Sequence, residues 1–110
     1  MGATSEDFQR LDMRVGKIVE VEELPEARKP SYRLTIDFGP LGTRRSVAAA
    51  KTDYTKDKLL NRQVVCVFNL PPCRVAGVNS KVLVLAATEA DGTLRLLQPD
   101  TVAELGSKIT

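Results

Sequence analysis

The chain has 110 residues, of which 43% are hydrophobic and 27% charged, and a formal net charge of +2. That composition describes one domain over residues 1–110 with one modest core and excludes wholesale disorder. No apolar run approaches the ~20 residues that span a bilayer, so no membrane insertion is expected. Residues 1–12 lack a basic stretch followed by an apolar one. No secretory leader is therefore expected, and the reading places the protein in the cytoplasm.

Residues 5–11 predict a short helix, with Ser5 as its cap and Glu6 and Asp7 in its first turn. Phe8 and Leu11 would share one face of it. Residues 13–24 read as a strand interrupted at Gly16, where a bulge or bend is expected. Val19 and Val21 would point one way along it and Ile18 the other. A polar loop bracketed by Pro25 and Pro30 follows. Tyr32, Leu34, Ile36 and Phe38 then alternate with Arg33, Thr35 and Asp37, the pattern of a half-buried strand.

Gly39 to Gly42 turn the chain into a strand over residues 43–50, whose small residues leave room for a bulky group to approach. Residues 55–62 predict a short helix capped by Thr55. Apolar runs at 64–70 and 82–87 read as strands, and Asp91-Gly92 marks a hairpin into a strand over 94–97. Residues 102–109 close the chain, with Gly106 as a turn. Five or six short strands with a helix between the third and fourth predict an all-β fold. The five-stranded oligonucleotide/oligosaccharide-binding (OB) barrel fits best, with an SH3-like barrel as the alternative.

Little in the sequence favours catalysis. It contains no His, which removes the usual general base, and no Gly-rich phosphate-binding motif. An enzyme is not expected. Cys66 and Cys73 offer too few ligands for a zinc site, so no metal or cofactor is expected. Cys66 lies in an apolar run and reads as core; Cys73 lies in a loop. A disulfide between them is not expected in a reducing compartment. Aromatic residues make up 5% of the chain, with no Trp, which disfavours stacking of single-stranded bases. Shape-based contact with structured RNA and capture of extended polypeptide both remain.

From about Phe8 to Ile109 the chain resembles the OB-fold tRNA-binding domain family. The likeness is carried by LDMRVGKIVEVE at 11–22, LLNRQVVCVFNL at 59–70 and NLPPCRVAGVNSKVLVLAA at 69–87. That family includes appendages of methionyl-tRNA synthetases, the front end of bacterial phenylalanyl-tRNA synthetase β chains, free-standing dimeric tRNA-binding proteins and secretion chaperones of the CsaA type. Two details resemble the chaperone branch. One is the loop PEARKPSYRLTIDFGPLG at 25–42, where tRNA binders more often carry an H-x-x-A-D-K-L-like segment. The other is the stretch where tRNA binders tend to read K-M-R-G-x-x-S-x-G-M. This chain keeps Arg74 at the Lys position, Gly77 and Ser80, but has Val75, Ala76 and Val82-Leu83 at the others. Residues 44–51 read RRSVAAAK where the chaperones usually have KKSSAQIT.

The resemblance implies a homodimer whose interface includes residues 1–11 and 98–110, with Phe8, Leu11, Val102, Leu105 and Ile109 as its apolar contacts. It implies unfolded or export-bound polypeptides as ligands, with export machinery as a further partner and tRNA as the alternative ligand. The expected polypeptide pocket comprises Tyr32, Ser46, Ala48, Asn69, Pro71, Arg74, Val75, Ser80 and Val82. The basic rim, or RNA-binding face, comprises Arg28, Lys29, Arg44, Arg45, Arg74 and Lys81. Plainer readings stand beside these: a solvated surface for the cations, a strand-end residue for Asn69 and a turn hydroxyl for Ser80.

Overall fold

In the computed structural model, which describes residues 2–110, two short helices punctuate nine strands. In chain order they are α1 (Ser5–Arg10), β1 (Met13–Glu23), β2 (Tyr32–Asp37), β3 (Thr43–Ala48), α2 (Lys56–Leu59), β4 (Gln63–Val67), β5 (Cys73–Val75), β6 (Val78–Ser80), β7 (Leu83–Val84), β8 (Ala86–Thr88) and β9 (Leu94–Leu96). The main sheet runs β3-β2-β1-β4-β7, while β5–β6 and β8–β9 form separate hairpins. This is the all-β five-stranded OB barrel read from the sequence, with α2 between the third and fourth strands.

The alternation in β2 drives the core. Tyr32, Leu34, Ile36 and Phe38 are buried, and Ile18, Leu59, Val64, Cys66 and Val82 complete the cluster. A fully buried aliphatic or aromatic side chain contributes roughly 1.5–3 kcal/mol, so this row outweighs any local preference of the short elements. Gly16 allows the tight packing. A Cβ there would lie 2.5 Å from Ile36 Cγ2 and 2.8 Å from Phe38 Cε1.

The expected fault in β1 lies elsewhere. Gly16 keeps regular register opposite Val64, and the irregularity falls between Ile18 and Glu20. One extra residue shifts the phase of the side chains. Ile18 pairs with Ile36 and Val21 with Leu34, so both face the interior, against the expectation of opposite faces. Other boundaries shift slightly. Thr4, not Ser5, caps α1: its Oγ1 accepts from Asp7 N (3.2 Å) while Asp7 Oδ2 accepts from Thr4 N (2.9 Å). That backbone N–H holds the Asp7 carboxyl below its usual range. The apolar run 82–87 divides at Leu85, whose N–H turns to Val65 O (2.9 Å) while its carbonyl takes Leu97 N (3.2 Å).

Polar contacts on β3 close the barrel. The Lys81 N–H donates to Arg45 O (2.9 Å), and Val47 N donates to Ser80 Oγ (3.1 Å). Ser46 is buried, and its hydroxyl donates to Val82 O (2.8 Å). The C-terminal segment lies along β1. Gly106 N donates to Val15 O (2.8 Å) and Ile109 N to Met13 O (2.9 Å). Gln63 clamps Ala103 through both its amide oxygen and its nitrogen.

Two measurements test this architecture. Ser46→Ala and Ser80→Ala should each cost ~1 kcal/mol in urea denaturation, because each removes a hydroxyl that satisfies a backbone group at the seam. The hydroxyls lie 3.4 Å apart, so the double variant should depart from additivity by at least ~0.5 kcal/mol. Additive costs would show that they do not act as one latch.

Burial pushes the Cys66 thiol up to about 12. An unfolded thiol ionises near ~8.5, so above that pH the folded state binds more protons than the unfolded one. The stabilisation is present in full below ~8.5 and lost as pH rises toward the folded value, at up to ~1.4 kcal/mol per pH unit. Cys66→Ala should be less pH-sensitive than the parent between pH ~8.5 and ~10.5. Identical profiles would refute this linkage.

Candidate binding grooves beside the β5–β6 hairpin

The β5–β6 hairpin turns at Ala76 (φ 48°) and Gly77 (φ 83°), both in the left-handed region. Arg74 faces Asn79 across it and donates to Asn79 Oδ1 (3.3 Å). The hairpin hangs on β3 through Ser80 and Lys81, so its position follows from the seam. A groove opens on either side.

The first groove, ≈660 Å³, lies on the outer face of β1, β2 and β3, where Glu20, Thr35 and Arg45 stand in one cross-strand row. Arg33, Arg44, Lys81 and Asn79 also line it. Its cations differ in freedom. Arg33 pairs with Glu22. Arg44 is half-buried, sits over the Phe68 ring at 4.9 Å and donates to Thr43 O (2.9 Å). Arg45 and Lys81 are exposed, with no carboxylate within ion-pair distance among the described residues.

The second groove, ≈570 Å³, separates the hairpin from the 25–31 loop. Ala27, Val47, Ala49, Val75 and Ala76 form its apolar lining, and Arg28, Lys29 and Arg74 its charged border, with Glu26 opposing them. None of these three cations has a carboxylate partner among the described residues. A third space, a slot of ≈330 Å³, shares Val47 and Ala49 with this groove. It runs on between residues 47–50 and the β7–β8 segment, with Leu83, Leu85, Leu94 and Leu96 on its walls.

The structure brings together part of the expected constellation. Arg74 and Val75 meet Arg28 and Lys29 in the second groove, Ala48 lines the slot, and Arg44, Arg45 and Lys81 meet in the first groove. Tyr32, Ser46 and Val82 are buried, so they build the barrel wall rather than its surface. The Tyr32 hydroxyl donates to Tyr54 O (2.9 Å). Ser80 is the latch hydroxyl. Asn69 stands apart from the grooves: its side chain accepts from Asp12 N (2.9 Å) and donates to Arg10 O (2.8 Å), tying the segment after α1 to the end of β4. Pro71 is exposed ahead of the hairpin.

Sequence reasoning marked Ala49 only as one of the small residues of 43–50 and did not find Ala27 and Ala76 as groove residues. Their methyl groups matter only through the neighbours the fold supplies, and no spacing announces them. Of the expected interface residues, Phe8 is 41% and Val102 88% exposed, whereas Leu11, Leu105 and Ile109 are half-buried against their own barrel. Both cysteines are free, Cys66 buried and Cys73 exposed. Among the described residues no three His, Cys, Asp or Glu side chains gather in a metal-holding group.

Comparison with known proteins agrees with this geometry. The family model described as "Putative tRNA binding domain" matches residues 13–108. A methionine–tRNA ligase from Thermococcus onnurineus is 44% identical over 104 residues, 94% of this chain and 14% of the ligase. The chain thus spans about one seventh of the length of such curated relatives. The crystal structure of the chaperone CsaA from Bacillus anthracis superposes with a TM-score of 0.94 at 44% identity, covering all of both chains. The CsaA chaperone protein from Picrophilus torridus does so at 0.92 and 44%, over 99% of this chain and all of the other. In sequence and in fold, the chain belongs to the tRNA-binding domain family.

Proposed function

We propose that this protein is a polypeptide-binding chaperone that works as a cytoplasmic homodimer, holding extended segments of unfolded or export-bound proteins and presenting them to export machinery. The observation that carries this reading is the second groove. There Val47, Ala49, Val75 and Ala76 leave apolar surface open beside three cations that lack carboxylate partners among the described residues. Apolar surface suits the side chains of an unfolded segment, and the cations steer it into place. The end-to-end similarity to two CsaA chaperones supports the same reading.

Structured tRNA is the second reading, favoured by the first groove. Arg45 and Lys81 project there without carboxylate partners, as phosphate contacts require. A salt series with total tRNA and with an unfolded preprotein separates the two. Arg45→Glu combined with Lys81→Glu should lower the slope of log K against log [salt] for tRNA by about 2, since each contact contributes about one unit. Suppression of preprotein aggregation should change less than twofold. Tight tRNA binding together with no preprotein binding would overturn the chaperone reading.

For the dimer, Phe8 and Val102 are the exposed apolar residues of the terminal segments. The 12.0 kDa chain should sediment as a dimer, and Phe8→Lys with Val102→Lys as a monomer. A monomer at every concentration of the parent protein would refute the assembly.

A further inference from the structure

The slot between β3 and β8 is bordered by strand edges that face away from their own ladders. In β3, the Arg45 carbonyl and the Val47 N–H turn from β2 toward Lys81 and Ser80. The ladder ends at Ala48, and the same alternation carried one residue further would turn the N–H and C=O of Ala49 the same way. Neither has a hydrogen-bond partner among the described residues. In the second hairpin, Glu89 N donates to Thr93 O (2.8 Å) and Leu97 N to Leu85 O (3.2 Å). Ala86 and Thr88, one residue out of phase with these, therefore direct their backbone groups outward. Their cross-strand partners show the same phase. Leu94 N donates to Asp53 Oδ2 (3.0 Å) and Leu96 N to the Tyr54 hydroxyl (3.0 Å), both away from β8. Thus the outer edge of β9 is capped by side chains, while β8 and the end of β3 border one slot without a ladder between them.

We propose that an extended polypeptide segment enters this slot as an added strand, hydrogen-bonding to β3 at residues 47–49 on one side and to β8 on the other. The inference rests on the polypeptide reading and gives it a mode. Main-chain bonds would supply affinity that is indifferent to client sequence. The leucine and alanine walls select small or β-branched side chains at alternate positions. Because the slot shares Val47 and Ala49 with the second groove, one end of the strand reaches Arg28, Lys29 and Arg74. Charge complementarity then asks for acidic residues at that end.

The test uses the full chain and a fluorescent peptide of about eight residues, the length of an ordinary strand, rich in Val and Thr and ending in two Glu. Its anisotropy is compared with that of two versions N-methylated at alternate backbone positions, one set for each peptide edge. Each set should weaken binding by about tenfold or more, because main-chain donors are lost on that edge. Replacing the Glu pair by Lys should weaken it several-fold. On the protein, Ala49→Pro removes an N–H with no internal partner, so it should keep the fold and lose peptide affinity. Should that variant not fold, the amides of Ala49 and Thr88 in the parent should exchange more slowly once the unmodified peptide is bound.

Equal binding of the methylated and unmodified peptides, or unchanged exchange of these amides, overturns the added strand and leaves polypeptide binding intact. Protection of the same amides at rising protein concentration without peptide assigns the slot to a second copy and overturns it too. No binding of the unmodified peptide overturns both this inference and the polypeptide reading.

Discussion

The serine latch on β3 is the contact on which the rest of the molecule depends. A five-stranded sheet becomes a barrel only if its last segment returns to its edge strand. Here the return from Ser80 to Val82 makes four hydrogen bonds to residues 45–47, three of them through side-chain hydroxyls. The geometry leaves β3 paired for part of its length only. Beyond Val47 the two walls separate, and the slot begins where the latch ends. The same contacts fix the root of the β5–β6 hairpin, and with it the division between a basic groove and a mixed apolar one.

That division sets where the cations around the hairpin lie. Elsewhere on the barrel some cations are paired, Arg14 with Asp12, Lys51 with Glu23 and Arg95 with Glu89, and others, such as Lys56 and Lys58, have no ion pair among the described residues. Isolated surface pairs of that kind contribute little stability, so neutralising the hairpin cations would have been easy. Five exposed cations instead border two adjoining grooves. Charges that border a concavity act over about a Debye length, ~8 Å at physiological salt, and raise the encounter rate of an anionic or acid-flanked ligand before any contact forms.

Much of the barrel was legible because its strongest patterns belong to single strands. The Tyr32 to Phe38 alternation announced both faces of β2, and Thr55 announced the start of α2. Phase was lost wherever it depended on a partner strand. Val19 and Val21 look like one face until the bulge between Ile18 and Glu20 is known. The run at 82–87 looks like one strand until Leu85 is seen bonding to two different partners. The site was less legible for the same reason. Asn69 and Ser80 carry polar groups that suit a ligand equally well, and only their neighbours show that the fold has already engaged them. Ala27, Ala49 and Ala76 have no individual chemistry to read; their value is the surface they share.

These placements also reweigh the segment that separates the chain from the tRNA-binding pattern it resembles. Of the retained residues, Gly77 serves the hairpin turn and Ser80 the seam, so their retention speaks for the fold and not for RNA. Of the replaced ones, Val82 is buried and speaks for the core. Val75 and Ala76 depart from the pattern and line the second groove, and Leu83 departs from it and lines the slot. Ala76 in place of the pattern's Arg removes a cation and bares a methyl beside Ala27, Val47 and Ala49. Each methylene that a ligand buries against such surface contributes roughly 0.8 kcal/mol. A few contacts then offset the loss of one screened charge. On the polypeptide reading, the preference would rest on Val75 and Ala76 at the hairpin tip and on Leu83 in the slot, acting on surface that β3 and the 25–31 loop provide.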